Sequence, residues 1–360
     1  MIMSHQKLFT GQLCRRSMVH HSYFHQKGLS LVEMLVALVI SLLITLAAVS
    51  ALIVTRQGFT TIDVSSQLRD NSRFATDLIQ RIGGQAGYKN DFFASAKASR
   101  LNSNTIPVVK GIDNIEPYVY GYNNALLSVS GSSIAISSTA RTTSDGSDVL
   151  VLRYQASTAA TTSGATDGSM INCAGFTGSA TAPSDLGDRM VSIFHLMKDS
   201  TTGEPSLYCS YLKTDGTGYL TQPIVQGVEN FQVLYGTDNV TPATAPPATA
   251  ASDASDSTPD RYLRADQLTV TGDATATNNN WRRVRSVRIG MVLRGAPNSQ
   301  QGSGPTTFYP FGSAKASISG TAGSALSSSS DVGTIFTPTA DGRMRMVSTF
   351  TVHLRNNQLY

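Results

Sequence analysis

The chain has 360 residues, of which only 14% are charged, and it is rich in Ser, Thr, Ala and Gly. That length has room for two domains, but the composition points to one globular domain with long insertions, large enough to bury a core. The formal net charge of +4 comes from Lys7, Arg15, Arg16 and Lys27, because residues 1–28 contain no Asp or Glu and the remainder is balanced. A whole-chain electrostatic case for nucleic acid binding falls away with that balance.

Residues 1–28 read as a targeting segment with a basic character and are set aside from fold reasoning. Met1, Met3 and Met18 are alternative starts. The segment has no small-residue cleavage site of the secretory type, and the apolar run follows it instead of lying within it. That run, residues 29–54, holds 26 residues, one ionisable side chain (Glu33) and neither Gly nor Pro. As a helix it would be about 39 Å long, enough to cross a bilayer core of about 30 Å. It is apolar on all faces, which argues against a core helix of a soluble domain. Basic residues before it place the N-terminus on the cytoplasmic side. A carboxylate inside such a segment costs about 2.5–3.5 kcal/mol at mid-membrane, less near an end, and usually has a partner and a task.

The junction Gly28-Leu29-Ser30-Leu31-Val32-Glu33 resembles the processing site of type IV prepilins and type II secretion pseudopilins. The resemblance rests on the basic leader, the Gly, the Glu at fixed offset and the long apolar helix. It implies cleavage after Gly28 by a prepilin peptidase/methyltransferase, N-methylation of Leu29, and an assembly role for the Glu33 carboxylate. Leu29 stands where Phe or Met is more usual in that class. The same resemblance implies an α+β, type IV pilin-like fold: a long N-terminal helix packed on an antiparallel β-sheet domain with long loops.

Residues 55–84 continue the helical pattern. Phe59, Ile62, Leu68, Ala75, Leu78, Ile79 and Ile82 recur at three- and four-residue spacing, with Arg56, Asp63, Arg69, Asp70, Arg73, Asp77 and Arg81 between them. Gly58 is a weak point, and Gly83-Gly84 predicts the stop. Residues 85–360 then form the β domain. Residues 85–147 connect helix and sheet, with loose alternation over 126–138. Strands are predicted at 148–154, 189–197, 207–212, 227–235, 285–293 and 346–354 from β-branched and aromatic alternation. They are expected to form one antiparallel sheet on the helix. The Ser/Thr/Ala/Gly-rich stretches 155–187, 237–280 and 297–340 read as long surface loops, locally disordered.

The later half adds to the family resemblance. The segment from Val228 through Tyr235-Gly236-Thr237-Asp238, then Asp260-Arg261-Tyr262, Trp281 with the strand after it, and the closing stretch 350–356 resemble PilW-type minor pilins. Outside the leader, Cys173 and Cys209 form an even pair, a disulfide in an oxidising periplasm. Two free thiols or half of a metal site are the alternatives, the latter opposed by the lack of CxxC or clustered His. In the chain-entropy model such a bridge contributes on the order of 3–4 kcal/mol.

No catalytic constellation emerges. His195 and His353 are isolated in strand candidates, and there is no GxSxG, HExxH or phosphate-binding Gly loop. Neither an enzyme nor a cofactor is expected. Asp238, Asn239, Asp253, Asp256 and Asp260 raise a calcium site, but the EF-hand spacing is absent and solvated acids are the simpler reading. Arg282 and Arg288 are placed on one face of a strand, with Arg283 and Arg285 on the other. Arg283 and Arg285 are candidates for anion or DNA contact, weighed against a solvated strand face paired with loop acids. The resemblance implies a minor pilin in an initiating or tip complex. It would work with other minor pilins, the major pilin and an inner-membrane assembly platform in pilus biogenesis, twitching motility, adhesion or DNA uptake. It would be a single-pass inner-membrane chain with a periplasmic C-terminal domain before reaching the pilus or cell surface. A minor pseudopilin of a type II secretion system and a membrane-anchored adhesin are the alternatives.

Overall fold

A computed structural model describes residues 28, 30–90, 92–93, 116–131, 133–137, 147–159, 164–184, 186–246, 258–300, 304, 307–312 and 335–356. The leader residues 1–27 and the expectations placed on Leu29, Asp253 and Asp256 lie outside them. The chain divides into two units, 1–56 and 57–360. One helix, α1 (Leu31–Gln85), contributes to both.

In the first unit α1 is apolar, and every residue from Leu31 to Arg56 is exposed. Its hydroxyls are satisfied within the helix: Ser41 donates to Leu38 O, Thr45 to Leu42 O, Ser50 to Leu46 O and Thr55 to Ala51 O, at 2.8–2.9 Å. Such back-bonding satisfies the hydroxyls of Ser and Thr inside an otherwise apolar helix.

In the second unit α1 buries one stripe: Val64, Leu68, Ser72, Ala75, Ile79, Ile82 and Gly83. Phe59 and Ile62, expected on that stripe, are both 66% exposed, and Val64 takes the place instead. The helix runs through Gly58, and it does not stop at Gly83-Gly84. Gly83 faces the sheet, where an added Cβ would lie 2.6 Å from Val352 Cγ1. The stop comes at Gly87, with φ of 80°, a left-handed conformation that suits glycine.

The described strands form two sheets and a hairpin, not the single sheet expected. A five-stranded antiparallel sheet has the order β1-β4-β5-β6-β7, from β1 (Val119–Tyr122), β4 (Val149–Tyr154), β5 (Met190–Lys198), β6 (Pro205–Leu212) and β7 (Tyr219–Gln226). A four-stranded antiparallel sheet has the order β11-β10-β8-β9, from β8 (Val228–Thr237), β9 (Arg261–Leu263), β10 (Val284–Arg294) and β11 (Arg345–His353). The hairpin is β2 (Leu126–Ser130) with β3 (Ser133–Ser137).

The two sheets are joined where β4 begins. Asp148 N donates to Phe231 O at 2.8 Å, Phe231 N to Ser147 Oγ at 3.2 Å, and Val233 N to Asp148 Oδ2 at 2.8 Å. Backbone groups on the part of β8 that β9 does not reach are thereby paired.

The main core lies between the stripe of α1 and both sheets, with Leu150, Leu152, Phe194, Phe231, Ile289 and Val352 among its residues. The other face of the five-stranded sheet is covered by the hairpin, whose Leu127 and Ile134 pack on Val149, Val151, Val191 and Ile193. Phe308 and Phe336 cover Val292 on the other sheet.

Two stretches read as disordered loops are ordered over much of their length. Within 237–280 lie β9, a 3-10 helix (Ala265–Leu268) and most of α2 (Ala274–Arg282). Asp273 caps α2, accepting from Ala276 N at 2.8 Å, and Trp281 on it is fully buried. Residues 164–184 are held by bridges Ala165–Thr181 and Ile171–Thr177, and by a disulfide between Cys173 and Cys209 of β6.

Candidate functional site

The chemistry of the N-terminal motif begins with Ser30. Its residue type, one turn before a Glu and ahead of an apolar run, is a helix-start signature. The structure realises both halves of it. Glu33 N donates to Ser30 Oγ at 3.2 Å, and Ser30 N donates to Glu33 Oε2 at 3.1 Å. Two N–H groups that the first turn leaves without helical partners are thus satisfied. Glu33 is also the acidic residue of that turn, where the helix dipole favours negative charge. Gly28 stands in open space, with nothing within 4 Å of an added Cβ. The reading from sequence singled out Gly28 and Glu33 and missed Ser30, although the Ser-x-x-Glu spacing was available to it.

This geometry gives Glu33 a defined position. One carboxylate oxygen is engaged by the backbone at the helix start, on an exposed face of an exposed helix. The motif can therefore hold a carboxylate at a fixed place beside the backbone of Ser30. No ionisable group follows Glu33 in α1 before Arg56.

The arginine group is not a strand face. Arg282 belongs to the last turn of α2 and Arg283 is its C-cap, so alternation along a strand does not relate either of them to Arg285 or Arg288. Arg285 is 3% exposed, donates from Nη1 to Arg282 O at 3.0 Å, and pairs with Asp238 Oδ2 at 3.4 Å. Buried there, it offers no surface to a phosphate. Arg283 is half-buried. Of the loop acids, Asp238 is the partner of Arg285, and Asp260 Oδ2 accepts from Asn239 N at 2.7 Å. His195 is buried in β5 with Nε2 2.9 Å from Ser210 Oγ, and His353 is exposed at the end of β11.

Two ionic clusters escaped the sequence reading because their members are far apart in the chain. Glu116 accepts from Arg189, whose Nη1 also reaches Glu116 O at 2.6 Å, and Arg153 stands 3.7 Å away. Glu204, Glu229 and Asp341 interleave with Arg294, Arg343 and Arg345, with the closest pair, Arg345 and Glu229, at 2.7 Å. The second cluster links the start of β6 to β8, β10 and β11. Burial raises the Glu204 carboxyl, and its hydrogen bonds from Arg294 and Arg343 outweigh that and leave it below the usual range.

Comparison with known proteins gives two family matches. A family described as type IV pilus-assembly protein W matches residues 193–356, which run from β5 to just beyond β11. The prokaryotic N-terminal methylation motif matches residues 23–49. No curated protein sequence matches the chain. Among solved structures, a type IV-like pilin from Thermus thermophilus is similar at 14% identity and a TM-score of 0.35, covering 80% of this chain and 97% of that one. The later strands thus carry the match to the type IV pilus-assembly protein W family, and the head of the long apolar-to-amphipathic helix carries the match to the N-terminal methylation motif, an arrangement that supports membrane anchoring by that helix.

Proposed function

We propose that this chain is a minor pilin, acting in an initiating or tip complex of type IV pilus assembly and not as a catalyst. The observation that carries the reading is the Ser30–Glu33 capping box at the head of a helix that is apolar and exposed over residues 31–54. Cleavage after Gly28 would release the amine of Leu29 beside that carboxylate. In lipid, Glu33 is held by its own backbone. In a bundle of such helices, the Leu29 amine of a neighbouring subunit would be the stronger partner, since a cation compensates a buried carboxylate better than one neutral donor does. Pairing would then set subunit register. The N-terminus would lie in the cytoplasm and residues 57–360 in the periplasm, where the Cys173–Cys209 bond would persist.

The partners on this reading are the other minor pilins, the major pilin, the prepilin peptidase/methyltransferase and the inner-membrane assembly platform. The balanced charge of the chain beyond the leader and the burial of Arg285 favour protein partners over DNA. Mass spectrometry of the mature N-terminus tests the class: an N-methylated Leu29 start is expected, and an intact leader overturns it. Piliation of a Glu33→Ala strain tests the role of the carboxylate. A strong loss of pili is expected, and wild-type pilus number would remove Glu33 from assembly.

A further inference from the structure

We propose that the cleft between the disulfide-held loop and the β6–β7 turn binds one neutral pyranose sugar unit. The cleft measures about 280 Å³ and lies wholly within the unit 57–360, so nothing in it depends on the assembly role of Glu33. It is lined by the loop over residues 172–183, by the residues that open β5, and by the turn over residues 212–216. These walls are held in place from outside the cleft. Cys173 is bonded to Cys209 of β6, the strand that runs into Leu212, so one covalent link ties loop to turn. Cys173 N donates to Ser192 Oγ of β5 at 3.0 Å, and Tyr154 OH donates to Ile171 O at 2.7 Å. Gly178 passes so close to β5 that an added Cβ would lie 2.9 Å from Met190 Sδ. A site formed in advance loses less freedom on binding.

Asn172 is the group that calls for a ligand. It is 5% exposed, and its Oδ1 accepts from both Ala174 N and Phe176 N at 3.0 Å. Two N–H donors on one atom identify it as the amide oxygen, so the NH2 is the end left over. Asn172 lines the cleft, and among the described residues nothing accepts from its Nδ2. A buried amide donor left alone is costly, and a ligand oxygen in the cleft would complete it.

The rest of the lining gives the ligand's chemistry. Its ionisable groups are Asp188 and Asp215 against Arg189 and Lys213, so a charged ligand of either sign would meet its own sign. Arg189 is committed to Glu116, Asp188 accepts from Ser184 N at 2.8 Å, and Asp215 Oδ1 accepts from Thr217 N at 2.9 Å. Lys213 Nζ and the hydroxyls of Thr177 and Thr214 have no hydrogen-bond partner among the described residues. Hydroxyls both donate and accept, which matches the hydroxyls of a sugar, and Lys213 adds donors. Met190 and Leu212 supply apolar surface for the C–H groups of the ring. The volume falls just below the roughly 300–1,000 Å³ of sites for drug-sized ligands, which suits one ring and not a longer chain.

The test uses the full chain in a detergent without a sugar headgroup. Saturation-transfer NMR is run with D-glucose, D-galactose, D-mannose and N-acetyl-D-glucosamine, each titrated alone. Saturable transfer to the ring protons of at least one of them is expected. Asn172→Asp keeps the acceptor for Ala174 N and Phe176 N and removes the NH2, and it is expected to weaken binding about tenfold. Lys213→Met keeps the side-chain stem and removes the donors, with a loss of about threefold. Lys213 stands on a half-buried turn, so this variant keeps the test decisive if the Asn172 variant fails to fold. Thr201→Ala, in the β5–β6 turn outside the cleft, is expected to bind as wild type does. The methyl glycoside of the bound sugar separates two sources of the same ring: equal binding assigns the end of a glycan, and exclusion assigns the free sugar. No transfer to any of the four sugars would overturn the proposal, as would transfer that neither Asn172→Asp nor Lys213→Met weakens in chains whose Cys173–Cys209 bond is intact.

Discussion

The two halves of α1 have the same backbone and opposite surroundings. From Leu31 to Arg56 apolar side chains point in every direction; Ile44 is 64% exposed. From Gln57 to Gln85 one stripe is buried to zero at Ala75, Ile79 and Ile82, and charged residues occupy the outside. Helix propensity does not distinguish these halves, because both are rich in residues that form helices readily. The distinction is in what covers the apolar surface. The second half finds protein for its stripe. The first half has an apolar circumference, and lipid or neighbouring helices must supply its cover.

The comparison breaks most sharply on matched isoleucines. Ile79→Ala should destabilise the unit 57–360 by about 2–5 kcal/mol, because the site is closed and the cavity remains. Ile44→Ala should leave that unit unchanged within about 0.5 kcal/mol. Chemical unfolding of the full chain in detergent, followed by fluorescence of Trp281, measures both, since Trp281 is the chain's one tryptophan and is fully buried. Equal losses would mean that the halves are one cooperative body.

The pH dependence of folding should also belong to the second half. Asp148 is buried where the two sheets join, accepting from Asn124 N at 2.9 Å and from Val233 N at 2.8 Å. Burial pushes its carboxyl up to about 7, against those two hydrogen bonds and with Asp266 adding to the rise. Its folded-state affinity for a proton thus exceeds its unfolded one. The stability this gives is complete below about pH 4 and is lost as pH rises through about 7, up to roughly 4 kcal/mol at 1.36 kcal/mol per unit. Urea midpoints read from Trp281 should fall between pH 4 and 7 in wild type, against the opposite slopes of Glu204 and Asp341, which are held low by their arginines. Asp148→Asn should remove the falling component; an unchanged profile would exclude Asp148 as its source.

Adjacent glycines sharpen the comparison at its packed end. Gly83→Ala forces a Cβ to within 2.6 Å of Val352 Cγ1, and it should destabilise by about 1–3 kcal/mol through overpacking. Gly84 has nothing within 4 Å of an added Cβ, so Gly84→Ala should stabilise by about 0.5–1 kcal/mol through helix propensity. Val352→Ala should relieve the first change and not alter the second. Effects of the same sign at both positions would contradict the close approach of α1 to β11.

These cases also show what was legible beforehand. The helix and the strands at β4, β5, β6, β8, β10 and β11 were readable, because long apolar periodicity survives any tertiary context. Gly83 was read as a stop since a glycine pair looks the same whether it ends a helix or lets one approach a strand. β7 was missed because Pro223 demotes a run that an edge can tolerate. α2 was missed because Thr and Asn dominate it; its cap at Asp273 and its anchor Trp281 are tertiary facts. Of the N-terminal motif, Gly28 and Glu33 were legible from fixed spacing. The ionic clusters were not, since Glu204 and Arg343 meet across 139 residues.

The smallest effect tests the head of the exposed half. Ser30→Ala removes the acceptor for Glu33 N, while the backbone N of residue 30 can still donate to the Glu33 carboxylate. A lost cap of this kind weakens a helix start by about 1 kcal/mol, equivalent to roughly fivefold in local opening. Amide hydrogen exchange of the full chain in detergent should therefore speed up about fivefold over residues 31–34, while residues 57–85 stay as in wild type, because opening at a helix end is local. Ser30→Thr, which keeps the hydroxyl, should restore slow exchange. Glu33→Gln should also be milder than Ser30→Ala by this measure, since the amide oxygen can still accept from Ser30 N, yet in an assembly assay it should be the more harmful, because it removes the charge. That crossover would separate the start of the helix, which the hydroxyl serves, from the assembly role proposed for the carboxylate.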